Sequence, residues 1–400
     1  MNFTERSLGL DEKGVFSLNV TLTKDQEMIR DMVRQFAKKE LAPKARQRDE
    51  QSLFAEQAFK KMGELGLLGL PFPEKYGGSG GDTVSYAIAV EEIGYACGGT
   101  GLSYAAAVSL GASPIYYYGT EEQKQKYLTP LASGKTLGAF GLTEPNAGSD
   151  AGGTQTKAVA DGPDYVINGE KCWITNASYA DTVIVTAVTG EREDGKKQIS
   201  AFIVPTDAAG FSIRADYDKM GVRASNTCEL VLEDVRIPKE NVLGDPEKGF
   251  SQFLYTLDGG RISIAALAVG IAQAAFDRAL AYAQERKQFG KVIGAFQAIQ
   301  FKLADMAMEI DLARTMVHKA ASLKDAGQPF GKESGYAKLF ASETATRVCN
   351  QALQIHGGYG YMKEYEVERM LRDAKLLEIG EGTSEIQRLV IARHLGLPRT

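Results

Sequence analysis

The sequence predicts a multidomain α+β protein in which an antiparallel β domain lies between two helical domains. Apolar residues recur at helical spacing in 21–138, short β-rich runs alternate with turn dipeptides in 139–249, and proline is nearly absent from 250–400. At 400 residues the chain is also too long for a single hydrophobic core. We therefore expect an N-terminal arm over 1–20, a helical domain, a middle β-barrel or sandwich domain and a C-terminal four-helix-bundle domain.

The first helical domain is predicted from its start and stop signals. Thr23 followed three residues later by Gln26 is the capping-box pattern, and apolar residues recur at helical spacing until Pro43. A glycine-rich loop at 76–81 separates the later helices. Three further helices are predicted: residues 54–65, a helix from about residue 83, and residues 121–131.

The middle domain has the pattern of β-hairpins. Dipeptides Asp161-Gly162, Asn168-Gly169 and Asp194-Gly195 separate runs rich in Val, Ile and Thr, and such dipeptides favour tight hairpin turns. The predicted strands are 165–167, 182–188, 199–204, 211–214 and 229–237. Short strands at this spacing predict a small antiparallel barrel or sandwich.

The C-terminal domain is predicted to be a helical bundle, because Ala, Leu, Glu and Lys dominate it. Its long helices are predicted at 250–286, 296–324 and 332–355. The apolar stretch 262–275 contains Gly270 and is followed by charged residues, so we expect it to be too short to span a membrane.

Composition argues against several classes of protein. A formal net charge of −5 disfavours a nucleic-acid partner, which usually requires a basic surface. Four dispersed cysteines, no CxxC pair and only three histidines disfavour a zinc site and are typical of reduced thiols. The N-terminus carries Glu5, Asp11 and Glu12 and no apolar run, unlike a signal or transit peptide. We therefore expect a cytoplasmic protein without a bound metal.

The first candidate for chemistry is Glu381, which lies between Gly380 and Gly382. Ser384 and Gln387 form a second capping-box pattern, so Glu381 is predicted to lie on a tight turn before the last helix. A carboxylate on such a turn can reach into a cleft, and the N–H groups beside it can bind an oxygen. The alternative is a solvated acid of the kind favoured near helix N-termini.

Two stretches of the middle domain have residue types that suit a planar ligand. Residues 140–150 form a loop with glycines and free N–H groups, which suits an anion or a heteroaromatic edge, although surface turns use the same residues. Trp173 and Thr175 share one face of a predicted strand, but a strand tryptophan also commonly packs in a core. No GxGxxG motif follows a strand and opens a helix, so a dinucleotide would bind without a Rossmann unit.

Taken together, these segments resemble the acyl-CoA dehydrogenase family, and most closely its short-chain, butyryl-type branch. The resemblance covers about residues 21–396. It rests on six ordered motifs: LTEPNAGSD (142–150), KCWITNA (171–177), LDGGRISIA (257–265), RKQFG (286–290), QIHGGYGY (354–361) and EGTSEIQR (381–388). It implies a helical–β–helical fold, bound FAD, and α,β-dehydrogenation of an acyl-CoA to the 2-enoyl-CoA.

The resemblance also implies roles for individual residues. Glu381 matches the base that removes the α-proton of the thioester, while the β-hydride passes to flavin N5. Ser149, Asp258, Arg261 and Gly382 match substrate contacts, although Arg261 is also consistent with a surface charge. The positions that match FAD contacts, some completing the site of a neighbouring subunit, are Phe140, Leu142, Thr143, Gly148, Ser149, Trp173, Ile174, Thr175, Arg286, Phe289, Gln297, Gln354, Ile355, Gly357, Gly358, Thr383, Ser384 and Glu385.

One position departs from the family pattern. The family usually has a tyrosine directly before the catalytic glutamate, where this chain has Gly380. Loss of the ring should widen the pocket beside the α- and β-carbons. We therefore expect tolerance for branched or cyclic acyl groups as well as short straight ones.

The resemblance implies partners as well. These are an acyl-CoA substrate, an electron-transferring flavoprotein as electron acceptor, and copies of the chain in a homotetramer arranged as a dimer of dimers. Three alternatives remain open from the sequence: an acyl-CoA oxidase, an enoyl-CoA reductase on the same fold, and a non-catalytic flavin- or CoA-binding protein.

Overall fold

The computed structural model describes residues 21–398, and the predicted arm over 1–20 lies outside them. The elements follow the predicted order of helices, sheet and helices. The two helical regions share one hydrophobic core, and the sheet has a second core of its own. The predicted α+β fold is therefore present.

The first helical region contains eight α-helices. They are α1 (Lys24–Phe36), α2 (Ala45–Gln51), α3 (Glu56–Glu64), α4 (Thr83–Ala96), α5 (Gly98–Ala106), α6 (Ser113–Tyr118), α7 (Glu121–Gln123) and α8 (Thr129–Ala132). The predicted capping box is confirmed, since Thr23 accepts the Gln26 N–H at 3.2 Å and returns its own N–H to the Gln26 side chain at 3.0 Å. Helices α2, α5 and α6 were not predicted; α5 is buried on all sides and has no polar face to give a periodic pattern.

The middle region forms an eight-stranded sheet. Its strands are β1 (Gly138–Gly141), β2 (Lys157–Asp161), β3 (Asp164–Thr175), β4 (Thr182–Glu191), β5 (Lys197–Pro205), β6 (Phe211–Asp216), β7 (Thr227–Pro238) and β8 (Val242–Leu243). The order is β6-β7-β3-β2-β4-β5-β8, with β1 beside β4. The sheet is mostly antiparallel, as predicted, but β1 and β2 both pair parallel with β4.

Two of the three predicted hairpin turns are present. Asp161-Gly162 joins β2 to β3, and Asp194-Gly195 joins β4 to β5. Asn168-Gly169 lies inside β3 instead, at an irregularity in its pairing with β7. A Cβ at Gly169 would lie 2.7 Å from Thr156 Cβ, so this glycine is explained by the close approach of another chain segment.

The C-terminal region contains five helices and a short hairpin. They are α9 (Gly249–Glu285), β9 (Lys287–Gln288), β10 (Lys291–Val292), α10 (Gln297–Asp325), α11 (Gly331–His356), α12 (Val367–Leu377) and α13 (Ser384–His394). Helices α9 to α12 pack against one another as the predicted bundle, and α13 packs on α11. Helix α9 also packs on α4, which brings the two helical regions together.

Helix α9 corrects the expectation that its apolar stretch is too short for a membrane. The helix continues through Gly270 for 37 residues and, within 21–398, is the one helix long and apolar enough to cross a bilayer. However, 67% of its most apolar window is buried inside the protein. Gly270 faces the backbone of α4, where any Cβ would lie 3.0 Å from Tyr95 N. The apolar character of α9 is thus used for packing in the core.

Candidate active site

The predicted turn at Glu381 joins α12 to α13. Ile379 and Gly380 both donate their N–H groups to Leu376 O at 2.9 Å, and Gly382 has a φ of +95°. Glu381 itself has a φ of +53°. This conformation is uncommon for a residue with a side chain and costs about 1–3 kcal/mol, so the surrounding structure must enforce it.

The helix after the turn is capped differently from the prediction. Thr383 Oγ1 accepts the Ile386 N–H at 3.3 Å, which makes Thr383 the N-cap. The predicted capping box of Ser384 and Gln387 is therefore wrong. Gln387 is fully buried and donates its side-chain amide to Glu381 O at 3.1 Å. The Gln387 amide thus donates to a carbonyl of the strained turn and does not cap the helix.

The Glu381 carboxyl group lies against Gly260 of α9. A Cβ at Gly260 would lie 2.9 Å from the carboxyl carbon and closer still to Oε2, so only glycine leaves room. Oε2 is buried and has no hydrogen-bond partner within the described chain. Burial raises the pKa of Glu381 to about 7, although the charges of Arg261 and Lys338 draw it down. Glu381 as a whole is half-buried, but its Oε2 is shielded from solvent, which argues against the solvated acid of the alternative interpretation.

Arg261 is also buried, so the interpretation of it as a surface charge is wrong. It forms an ion pair with Asp258 one turn earlier on α9. Its Nε is buried and has no hydrogen-bond partner among residues 21–398. Burial raises the pKa of Asp258, against the charges of Arg261 and His394. The unpaired Arg261 N–H is a donor that a ligand can satisfy.

Two of the predicted cofactor segments lie side by side in the sheet region. Cys172 N, in β3, donates to Thr143 O at 2.9 Å. Trp173 is at an irregularity of β3 with a φ of +59° and is 60% exposed, so it is not a core residue. Ile174 is buried and Thr175 is half-buried. The indole therefore presents an accessible flat face beside the 142–149 loop.

The other predicted residues of this region differ in exposure. Phe140 is buried and its ring stacks on Phe253 of α9 with centroids 4.3 Å apart, which joins β1 to the bundle. Leu142 is buried, whereas Gly148 and Ser149 are exposed at the end of the loop. The exposed end of this loop thus follows a start that is held by the buried residues Phe140 and Leu142.

A buried ion pair also fixes the start of this loop. Its partners, Glu144 and Lys171, lie in two of the quoted motifs but were given no role there. Lys171 Nζ lies 2.7 Å from Glu144 Oε1 and donates to Leu142 O at 3.2 Å. Glu144 also accepts the Thr154 hydroxyl and, at 3.1 Å, the Thr156 N–H. Burial acts to raise the pKa of Glu144, but the Lys171 charge and these hydrogen bonds bring it down to about 2. The pair fixes the loop after β1 to strand β3.

Another set of predicted cofactor residues lies at the C-terminal end of α9. Arg286, Ile355, Gly357 and Gly358 line one surface cleft of about 540 Å³. Arg286 follows directly after α9, so it lies roughly 40 Å from Gly260 along the helix axis. Phe289, Gln297 and Gln354 are exposed and do not line this cleft. The predicted cofactor residues thus fall into two separate groups.

Three family models match consecutive parts of the chain. They describe the acyl-CoA dehydrogenase N-terminal domain over residues 23–135, the middle domain over 139–235 and the C-terminal domain over 247–396. The chain belongs to the acyl-CoA dehydrogenase family. The resemblance found in the sequence is therefore confirmed.

Individual acyl-CoA dehydrogenases are similar over nearly the whole chain. The probable acyl-CoA dehydrogenase YngJ of Bacillus subtilis (strain 168) is 76% identical over 94% of this chain and 100% of that protein. A short-chain specific acyl-CoA dehydrogenase of Clostridium acetobutylicum is 53% identical over 94% and 99%. The solved butyryl-CoA dehydrogenase from Megasphaera elsdenii is 46% identical over 94% and 99%, with a TM-score of 0.92. These relatives confirm the resemblance to the short-chain branch.

The cofactor of acyl-CoA dehydrogenases is FAD, and one solved member of the family is in complex with FADH2. The residues present in this chain fit such a group. Trp173 offers an exposed aromatic face, and Ser384 Oγ is buried without a partner in the described chain. A Cβ at Gly357 or Gly358 would meet nothing within 4 Å, so the backbone there is open to a ligand. Thr383 is half-buried and Glu385 exposed beside Ser384.

Proposed function

We propose that the chain oxidises a short-chain acyl-CoA to the 2-enoyl-CoA, with Glu381 removing the α-proton. The observation that carries the proposal is Glu381 Oε2, a buried carboxylate oxygen without a partner, held on a strained turn. A base works best when its pKa lies near the working pH, and burial raises the pKa of Glu381 to about 7. When bound, FAD supplies the acceptor for the substrate's β-hydride.

The chain's own groups are suited to the proton transfer. The Glu381 N–H makes no hydrogen bond among the described residues, so it can donate to the thioester oxygen as charge builds there. Gly260 lets the carboxyl group pack against α9, and the buried Arg261 favours its ionised form. These groups hold the base and polarise the carbonyl, which makes the α-proton more acidic.

Anaerobic reduction of the flavin tests the proposal. We expect the FAD-loaded protein to lose its visible absorption band when butyryl-CoA is added, because substrate oxidation reduces the flavin. If a panel of straight, branched and cyclic acyl-CoA thioesters leaves the band unchanged, the chain is a non-catalytic flavin-binding protein. Turnover with oxygen, compared with turnover with an electron-transferring flavoprotein, separates an oxidase from the dehydrogenase that we propose.

Gly380 is proposed to admit branched or cyclic acyl groups. A Cβ at this position would lie 3.6 Å from Leu376 O, an ordinary contact, and the backbone there has no positive φ. A larger side chain can therefore be introduced without moving the turn. In Gly380→Tyr, we expect the ratio of kcat/KM for isobutyryl-CoA to that for butyryl-CoA to fall about tenfold, as for loss of a pocket that fits one or two methyl groups.

Gly380→Ala is the matched control for that experiment, because it adds a methyl group but no ring. Its substrate preference should stay near that of the wild type. Equal ratios in the wild type and in Gly380→Tyr would show that position 380 does not select the acyl group.

Assembly into a homotetramer is proposed from two features. Arg286, one of the predicted cofactor residues, lies roughly 40 Å along α9 from Gly260, which is beside the proposed base, so one FAD cannot reach both places in a single subunit. Helix α10 exposes Phe301, Met308 and Leu312 at helical spacing, and an apolar stripe of this kind is typical of a subunit interface.

We expect this enzyme in the cytoplasm, because its four cysteines are buried free thiols.

A further inference from the structure

Two buried polar side chains, neither of them among the predicted catalytic, substrate or cofactor residues, hold the turn that carries Glu381. Lys338 of α11 is fully buried, and its Nζ donates to Gly382 O at 2.6 Å. Gln387 of α13 is also fully buried, and its Nε2 donates to Glu381 O at 3.1 Å and to Gly382 O at 3.0 Å. Two successive carbonyls of the turn are therefore held by side chains from two different helices.

These contacts oppose the strain of the turn. A non-glycine residue with positive φ persists only where its surroundings over-determine the backbone, and the two side chains supply that restraint. Their fit is close, since a Cβ at Gly382 would lie 2.7 Å from Gln387 Nε2. Without the hydrogen bonds, the turn is free to relax and to carry the carboxylate away from Gly260.

Burial of the Lys338 ammonium costs free energy, and packing of the core does not require a charged side chain at this position. Among residues 21–398, Lys338 Nζ forms no ion pair, and its hydrogen bond is to the backbone carbonyl of Gly382. Burial lowers the pKa of Lys338 to about 8, and the charge of Glu381 opposes that effect. A neutral side chain of similar length would fill the same space more cheaply. The retained charge therefore points to a role in electrostatics as well as in packing.

We propose that Lys338 and Gln387 are positioning residues for the base, and that Lys338 acts through an ammonium group held on the carbonyl directly after Glu381. This inference rests on the proposed function of Glu381. The two residues are expected to act differently, because both fix the turn but only Lys338 contributes a charge.

The charged groups around Glu381 come from three helices. Arg261 on α9 and Lys338 on α11 are cationic, and both draw down the pKa of Glu381 against the effect of burial. Burial, and to a smaller extent the charge of Glu381, raise the pKa of the Tyr86 hydroxyl on α4, so this group stays neutral. The more distant Glu378 and Glu385 act on Lys338 and not on the base. Removal of Lys338 therefore leaves one cation, Arg261, to oppose burial.

The test compares Lys338→Met with Gln387→Leu in the FAD-loaded enzyme. Glu381 must be ionised to act, so kcat/KM of the wild type rises with pH through the pKa of that carboxyl group. In Lys338→Met, we expect this rise to move to higher pH by about one unit or more, as for loss of a nearby opposite charge. In Gln387→Leu, we expect kcat to fall on the order of tenfold with the rise unmoved, because only geometry is lost.

Three further variants separate this role from folding. Ser342→Ala, one turn along α11 and also fully buried, should change neither kcat nor the pH profile. Lys338→Arg keeps the charge and should return the rise toward its wild-type position; if Lys338→Met does not fold, Lys338→Gln takes its place. A wild-type pH profile and kcat in the folded, FAD-loaded neutral variant would overturn the inference. Failure of the proposed function is recognised separately, by activity that survives loss of the Glu381 carboxylate.

Discussion

Glu381→Gln is expected to lower turnover on the order of 10²-fold or more while FAD content stays near that of the wild type. The substitution keeps the size of the side chain and removes only its ability to take a proton. Oε2 makes no hydrogen bond in the described structure, so no structural contact of that atom is lost. The rate of anaerobic flavin reduction by butyryl-CoA is the direct measurement, since it excludes the later electron transfer.

Glu378→Gln is the matched control, because it removes a negative charge three residues earlier. Glu378 pairs with Lys375 at 2.7 Å and does not face Gly260. Its flavin should be reduced at a rate close to that of the wild type. Reduction of the Glu381→Gln flavin at an unchanged rate would show that another group takes the proton.

Gly260→Ala is expected to lower the rate of flavin reduction on the order of 10²-fold, because the new methyl group occupies the space of the Glu381 carboxylate. The added Cβ would lie 2.9 Å from the carboxyl carbon, so the side chain must move. A displacement of about 1 Å at a reacting group is enough for a loss of this size. The helix itself should gain stability, since alanine is favoured over glycine by about 1 kcal/mol in a helix interior.

Gly259→Ala makes the same change one residue earlier and serves as the control. Its Cβ would meet Lys324 Nζ at 3.0 Å, which is the free end of a flexible side chain that can turn aside. We expect this variant to keep most of its activity and to unfold at a similar or higher temperature. Comparable losses in both variants would mean that α9 tolerates no methyl group here, and would remove the special role of position 260.

The long elements of this fold were predictable because their patterns are local. Helices α9, α10 and α11 begin and end within about a residue of their predicted limits, since Ala, Leu, Glu and Lys dominate them and no proline interrupts them. Thr23 was likewise identified as an N-cap from its own neighbours. Helix α5 escaped prediction because a helix that is buried all round carries no such pattern.

Two predictions failed because of contacts that form only in the folded chain. Asn168-Gly169 has the sequence of a hairpin turn, but Thr156 passes so close that the glycine serves packing. Gln387 has the spacing of a capping residue, yet its amide is taken by the carbonyl of Glu381. In both cases the sequence has the local pattern of the predicted feature, but a tertiary contact determines the conformation that the segment adopts.

The same reason explains which site residues the sequence revealed. Glu381 stood out through its flanking glycines and the family motif, whereas Lys338 lies 44 positions from the carbonyl that it binds. No periodicity marks a lysine whose partner lies on another element. Gly260 offered a weak signal, since two adjacent glycines are unfavourable in the middle of a helix and indicate a close neighbour.

Helix α9 has a consequence for the enzyme at low concentration. The helix contributes Gly260 to the proposed proton-transfer site in its first half, and its C-terminal end borders the Arg286 cleft. In the proposed assembly, each flavin is enclosed by groups from two copies, so subunit association and flavin retention follow a common mass-action equilibrium. Dilution alone would then release the yellow FAD from the protein, with no change in the proposed catalytic residue.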